Sequence, residues 1–515
     1  MVHTYDVIVV GSGSAGAALA ARLSEDPGRS VLLLEAGPDF PDRADIPHEI
    51  TDGNAMSMHA HDWRFRAEIL DGRRIIFPRG KIAGGSSAVG ATIALRGVPE
   101  NFERWAAAGN PAWTYEQVLP YYRRLEDDLD FSDRYHGSGG PVPIRRFTPE
   151  ETTPLQTAFT EASLAAGFPE VADHNHPEAT GIGPIPSNRR DPRFRVSSAM
   201  AYLTPEVRAR PNLAIRGGVL VHEVLFDGDR ATGVLAAAGG GVPEELRARK
   251  VVLSAGAVNS PTLLMRSGIG PAGDLTRLGI RVRLDRPGVG AHLQDHPRTG
   301  VFLRPKDGEV STDVPFLQTM VRTTSKGSAD FNDLQYYMVN HFDLTLFPEL
   351  QMLAQAPMIF GVMVVDQQPE SVGRLRLAST DPAAGPDIRL DFLSTDRDLE
   401  KLVEGVRTCW ELANHPGIAS RGDGYIVLSD RLVEKDAMVE QYVRTSLDSG
   451  YHPVGTARMG TAEDEGAVVD QRLRVHGVEG LYVADASVMP QIVNCNTNLT
   501  STMIGERLAD WLRAE

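Results

Sequence analysis

Near the end of the 515-residue chain, the stretch SGYHPVGTARMG (449–460) sets His452 against Pro453 with glycines on either side and no helical or strand period around it. A free imidazole titrates near pH ~6.5, so a histidine held in such a loop can serve as a structural donor or move protons near neutrality. A second piece of chemistry lies at the other end of the chain. Gly11, Gly13 and Gly16 form G-x-G-x-x-G between the apolar run YDVIVV and the helical run AALAARLSED. Gly11 permits the tight turn, Gly13 lets a pyrophosphate approach the backbone, and Gly16 lets helix and strand pack closely. The free N–H groups of the helix then face the phosphates. Glu35 closes the next strand, SVLLLEAG, nineteen residues after Gly16. A carboxylate there accepts from ribose hydroxyls and disfavours a 2′-phosphate, leaving NAD or FAD as the dinucleotide.

Other reactive residues form weaker patterns. HAH at 59–61 and DHNH at 173–176 imitate metal ligands, but no further ligands follow at a credible spacing, so no metal is expected. Ser86 and Ser87 lie in a Gly/Ser loop without the G-x-S-x-G elbow of a hydrolase. Asp295-His296-Pro297 reads as a domain junction and not as part of a catalytic set. Cys409 and Cys495, the only cysteines, are far apart, which excludes a disulfide framework or a zinc cage and suggests a reducing, cytoplasmic setting.

The elements that must position these groups follow from periodicity. Residues 5–37 read as a βαβ unit with parallel strands. Residues 38–75 lose that order and read as loops, and 100–128 as two helices broken at Gly109–Pro111. From 213 to 256 a period of two predicts an antiparallel meander feeding a further parallel strand, and 256–271 opens a helix. Strand-like runs such as LQYYMVNHF and MIFGVMVVDQQP occupy the middle, and the chain closes with LYVAD and the helix TNLTSTMIGERLADWLRAE. The N-terminal apolar run leads straight into the glycine motif, so it reads as a first strand and not as a signal peptide. With 42% apolar and 23% charged residues the composition is that of a globular protein, and no run is long enough to span a bilayer. A formal charge of −16 argues against nucleic acid or an anionic membrane as partner.

Five blocks, PRGKIAGGSSAVGATIALRG, SAGAVNSPTLLMRSGIGP, RPGVGAHLQDHP, HPVGTARMG and VADASVMPQIVNCNTNLTSTMIGERLADWL, resemble in order and spacing the glucose–methanol–choline (GMC) family of FAD-dependent oxidoreductases. The resemblance implies a mixed α/β and α+β fold. It comprises a Rossmann-like FAD domain with a β-meander and a substrate domain built on a mixed or antiparallel sheet flanked by helices. The FAD domain would be assembled from residues 1–150, 195–300 and 445–515, and the substrate domain from 151–194 and 301–444. FAD contacts are implied at Gly11, Ser12, Gly13, Ser14, Ala15, Gly16, Glu35 and Ala36, and at Ile82, Gly84, Gly85 and Ser86. Further contacts are implied at Gly90, Ala91, Thr92, Ile93, Val221, Asp485, Ala486, Asn496 and Thr497. The family's usual SSAING reads SSAVGA here, so Gly90 stands where an Asn is usual. Val89 fills the position from which a histidine tethers the flavin in some members, so FAD is expected to be non-covalent.

In the same resemblance His452 is the catalytic histidine and Asn496 its partner. The expected reaction is oxidation of a primary alcohol (aromatic, furanic or choline-like) to the aldehyde, with His452 as general base and hydride transfer to flavin N5. An imidazole suits the proton transfer, and an amide can bond the developing alkoxide without competing for the proton. The helix after Asn496, with Leu499, Met503, Ile504, Leu508 and Leu512 as its apolar face, would direct its positive end at the flavin's pyrimidine side. O₂ or a quinone-type acceptor would reoxidise the flavin, in a monomer or homodimer. Lyase or photodecarboxylase chemistry on the same fold, or polyol or sugar dehydrogenation, are the alternatives.

Overall fold

The computed structural model describes residues 4–54, 56–57, 59–345 and 347–515. Strand β1 (Thr4–Val10) leads through the glycine turn into helix α1 (Ser14–Leu23) and returns as β2 (Val31–Leu34), parallel to β1 with Val7 opposite Val31. β2 and the end of β1 are apolar and buried on both faces, as parallel strands covered by helices must be. The sheet continues with β3 (Leu213–Arg216), β4 (Val219–Asp227), β5 (Arg230–Ala238) and β6 (Glu244–Leu253), in the order β3-β2-β1-β6-β5-β4. β4, β5 and β6 form the expected antiparallel meander. β6 then does double duty: its length pairs parallel to β1, and its end also pairs parallel to the short strand Leu481–Val483.

Two expectations are corrected. Residues 213–216 do not join the meander; they pair parallel to β2, with Leu213 opposite Val31. Gly217–Gly218, the latter at φ +69°, breaks the chain direction before β4 begins. Residues 38–75 are not all loop either. Phe65–Leu70 and Arg73–Phe77 form a hairpin across Gly72, whose φ of +74° suits the turn, and FRAEIL alternates buried and exposed side chains. The hairpin delivers Pro78 and Arg79 to the central cleft.

Helix α2 (Gly256–Arg266) follows β6 directly. A second, antiparallel sheet contains β7 (Pro297–Pro305), β8 (Thr319–Thr323), β9 (Leu334–Asp343) and β10 (Met358–Asp366), with β10 between β7 and β9. Gly181–Pro184 and Gly422–Tyr425 form its edges, and Asp448–Ser449 pairs with the start of β7, Arg298 opposite Asp448. This last pairing carries the chain into the His452 loop. Helix α3 (Asn498–Ala514) closes the fold against α1. A Cβ at Gly505 would collide with the Ala15 carbonyl, so that glycine sets how closely the two helices approach. Among the described residues no helix is long and apolar enough to cross a membrane.

Candidate active site

The two sheets enclose one long cleft. The glycine turn lines one end and the His452 loop the other. At the first end Gly11 has φ +100°, and a Cβ there would strike the Ser254 carbonyl; a Cβ on Gly16 would strike the Gly11 carbonyl. The turn can therefore be this tight only with glycine at both positions. Glu35 is buried and is held by Ser12 N at 3.0 Å and Ser12 Oγ at 2.8 Å on one oxygen, and by Gly37 N at 2.8 Å on the other. Burial raises its pKa despite these donors.

Of the residues expected at the cofactor, Gly11, Gly13, Ser14, Ala15, Glu35, Ala36, Gly85 and Ser86 line the cleft. So do Gly90, Ala91, Thr92, Ile93, Val221, Asp485, Ala486, Asn496 and Thr497. Ser12, Gly16, Ile82 and Gly84 lie behind the wall. Ser12 is fully buried against Glu35, and Ile82 packs with Ile50, Ala88 and Val89. Asp485 spends its carboxylate on Gly256 N, Ser260 Oγ and the Ser487 N and Oγ, which fixes the start of α2. The first residues of α1 and α3 meet where Ser14 Oγ donates to Asn498 Oδ1 at 2.7 Å. Two positive helix ends thus converge on one stretch of cleft. Val89 also lines the cleft and has no nucleophile.

The donor set fits a dinucleotide. Gly13 and Gly85 face each other with the room a Cβ would fill, and the buried Ser254 Oγ lines the cleft with no hydrogen-bond partner among the described residues. No group of His, Cys, Asp and Glu among the described residues could hold a metal ion.

At the other end, His452 and Asn496 meet. Asn496 Nδ2 donates to His452 Nε2 at 3.0 Å, and Asn496 Oδ1 lies 3.4 Å from the Tyr337 hydroxyl. Asn496 precedes the N-cap of α3, which is Thr497, so its side chain is not consumed as a cap. The expectation for Asp295-His296 is corrected in part. The pair directly precedes β7 of the second sheet, but its side chains also form the back of the site. His296 Nδ1 lies 2.9 Å from His452 Nδ1, and His296 Nε2 lies 3.1 Å from the Val493 carbonyl.

That geometry settles the tautomers. A carbonyl accepts only, so His296 carries its proton on Nε2 and its Nδ1 is a bare acceptor. Burial holds His296 neutral by lowering its pKa to about 3. His452 must then donate from Nδ1, which leaves Nε2 as the lone pair that faces Asn496 and the cleft. Burial above all, with His296, Arg79 and Arg298 adding, pushes the His452 pKa well below the ordinary imidazole value.

Asp295 organises the loop. Its carboxylate accepts from His452 N at 2.7 Å, His296 N at 2.8 Å and Ser449 Oγ at 2.5 Å. Burial nonetheless raises its pKa to about 6. These bonds hold Tyr451 in the left-handed region at φ +62°, a strained position for an aromatic residue. Gly455, at φ +83°, lets the loop pass the His292 carbonyl, which a Cβ would strike. The sequence signal for Asp295 and His296 was present in the block RPGVGAHLQDHP, but nothing in it shows which side chain faces His452.

Family models described as GMC oxidoreductase match residues 5–298 and 369–505. The chain is 36% identical to the 5-(hydroxymethyl)furfural oxidase of Methylovorus sp. (strain MP688), covering 98% of each chain. It is 37% identical to an oxygen-dependent choline dehydrogenase of Rhizobium etli, covering 98% of this chain and 95% of that one. The crystal structure of pyridoxine 4-oxidase from Mesorbium loti superposes with a TM-score of 0.90 at 31% identity, covering 99% of this chain and all of that one. With its glycine turn, buried Glu35 and histidine–asparagine pair in one cleft, this chain belongs to the GMC oxidoreductase family of FAD-dependent enzymes acting on CH–OH donors.

Proposed function

We propose that the protein oxidises a primary alcohol to the aldehyde, with His452 as general base and Asn496 as the donor to the substrate oxygen. The observation that carries this is the His296–His452–Asn496 chain, which presents an unprotonated Nε2 at the cleft surface, accepting from the Asn496 amide, a bond that the substrate hydroxyl would replace. FAD, when bound along the cleft, would supply the two-electron acceptor for the carbinol hydride. The hydroxyl proton passes to His452 Nε2, so the alcohol loses two electrons and two hydrogens and leaves as aldehyde. Asn496 Nδ2 stabilises the oxygen as its charge grows. The imidazolium formed on His452 is stabilised in turn by its Nδ1–H bond to His296. An aromatic, furanic or choline-like alcohol and reoxidation by O₂ or a quinone fit the relatives named above.

In this reading the cleft-lining residues between Gly11 and Ala36, 85–93, Val221 and 485–497 hold FAD, with Ser12, Gly16, Ile82 and Gly84 supporting them from behind. The FAD domain is then 1–150, 195–300 and 445–515, and 151–194 with 301–444 cover the substrate. Val89 supports non-covalent attachment, and two free, buried cysteines support a reducing, cytoplasmic setting. The test is anaerobic mixing of the yellow holoenzyme with a panel of primary alcohols. Bleaching of the flavin with stoichiometric aldehyde is expected; an unbleached flavin with cleavage of a cyanohydrin would replace this reading by a lyase.

A further inference from the structure

Among the described residues five charged side chains line the cleft: Glu35, Asp485 and Arg266 away from His452, with Arg266 held on the His222 carbonyl, and Arg79 and Arg298 near His452. The two acids stand at the glycine-turn end and are committed to protein donors. Around His452 the charged lining residues are Arg79 and Arg298, and no carboxylate lines that end. Arg298 is 8% exposed, at the start of β7. Its Nη2 and Nε are held by Asp448 Oδ2 at 2.6 and 3.2 Å. Among the described residues Nη1 bonds the Met363 sulfur at 3.7 Å, a weak acceptor on the cleft wall that leaves its protons available, and the Tyr451 hydroxyl also acts on the guanidinium. Arg79 donates Nε to the Pro78 carbonyl and forms no ion pair among the described residues. The acids that act on it, Asp295 and Asp62, do not line the cleft.

Two of the aromatic faces lining the cleft, Trp63 and Tyr451, already carry a cation; Tyr337, Phe65 and Phe316 line it as well. Lys81 Nζ sits 4.6 Å over the Trp63 ring, and the Arg298 guanidinium sits 4.8 Å over the Tyr451 ring with Arg79 at 6.0 Å. An ammonium brought to these rings would meet like charge at close range.

We propose that the alcohol taken by this site carries an anionic group, a carboxylate being the simplest, which Arg298 Nη1 binds with Arg79 supplying the second positive charge. The inference rests on the alcohol-oxidising reading above and narrows it, by turning the choline-like class away. A hydrogen bond between charged groups is worth about 10–100-fold in affinity.

The test is a binding measurement on the oxidised holoenzyme with ligands that cannot be oxidised at a carbinol. Titrations of 4-methylbenzoate, 4-methylbenzamide and 4-methylbenzylammonium are followed by perturbation of the flavin spectrum. The benzoate is expected to bind at least 10-fold more tightly than the amide, and the ammonium most weakly. Equal binding of benzoate and amide, or preference for the ammonium, overturns the proposal. In Arg298→Met the benzoate-to-amide ratio should fall toward one, while Arg298→Lys should keep part of it. A ratio unchanged in a FAD-loaded Arg298→Met protein overturns the assignment to Arg298. If that variant does not fold, the wild-type series still decides. Because binding is read without turnover, a charge preference in a protein that oxidises no alcohol would refute the reaction and leave standing only the anion-binding role of Arg298 and Arg79. Oxidation without a charge preference would do the reverse.

Discussion

His296 never touches the substrate in this reading, yet its removal should slow the reaction by a definite amount. Its Nδ1 is the acceptor that keeps the His452 proton on Nδ1 and the lone pair on Nε2. In the resting state that bond joins two neutral groups and is worth about 0.5–1.5 kcal/mol; once His452 has taken the substrate proton the donor is charged, and the bond is worth about 1.5–3 kcal/mol. The difference, about 1–1.5 kcal/mol, is transition-state stabilisation and corresponds to roughly a 5–10-fold rate loss. Loss of the tautomer preference adds a further factor of about two, since both neutral forms of His452 become populated. His296→Leu should therefore reduce flavin about 10–20-fold more slowly per bound FAD, well short of the ~10²–10⁴ expected from removing the base itself. The buried His452 Nδ1–H left without a partner should also cost about 1–3 kcal/mol of stability. His296→Asn places a carbonyl oxygen near the lost Nδ1 and should restore most of the rate, which a purely structural role would not predict. Selective ¹⁵N-histidine labelling, with His452→Gln to assign the signal, reads the tautomer directly. A bare Nδ1 on wild-type His452, or a His296→Leu enzyme that holds FAD and reduces it at the wild-type rate, would refute this reasoning.

His452→Ala should keep FAD, because the glycine turn and Asp485 lie at the far end of the cleft, and stopped-flow reduction per bound FAD should fall by about 10²–10⁴. Asn496→Asp should lose more than Asn496→Ser, on the order of 10²–10³ for the lost donor plus the repulsion of the growing alkoxide, with equal small losses counting against the role. Because burial lowers the His452 pKa, the reduction rate should be flat from about pH 6.5 upward and fall only in acid; a limb centred near ~6.5 in the rate at saturating substrate would contradict the site geometry. The same direction governs stability. His296 and His452 take up protons more readily unfolded than folded, so their contribution to stability is full above about pH 6.5 and is lost as the pH drops toward about 3, the value of His296. The raised pKa of Asp295, about 6, acts in the opposite direction; the difference in acid unfolding between wild type and His296→Leu reads the histidine part. Acid precipitation of the holoenzyme should leave FAD in the supernatant, since Val89 offers no atom for a covalent bond; a yellow pellet would show a tether.

The sequence by itself determined those features whose physics is local. Gly16 is required by a backbone contact within a single turn, with the Gly11 carbonyl, and the alternation from apolar strand to glycine turn to alanine-rich helix specifies that turn; Gly11 is announced by the same motif, although the backbone it must clear is that of the remote Ser254. Glu35 follows from the length of the βαβ unit, and the His452–Pro453 loop announces itself by its residue types. Tertiary structure decided the rest, because it depends on side chains brought together from remote segments. The His296 and His452 rings are 156 residues apart in the chain, and only their contact assigns the protons. The strand direction of 213–216 turned on which edge of the sheet was free, which a period of two does not encode. The positive charge near His452 came from Arg79 after one hairpin and Arg298 at the start of one strand, residues that no sequence motif pairs. Register fixed Arg298 beside Asp448 and under Tyr451, and the direction of a side chain within a sheet is set by pairing partners that sequence spacing alone does not identify.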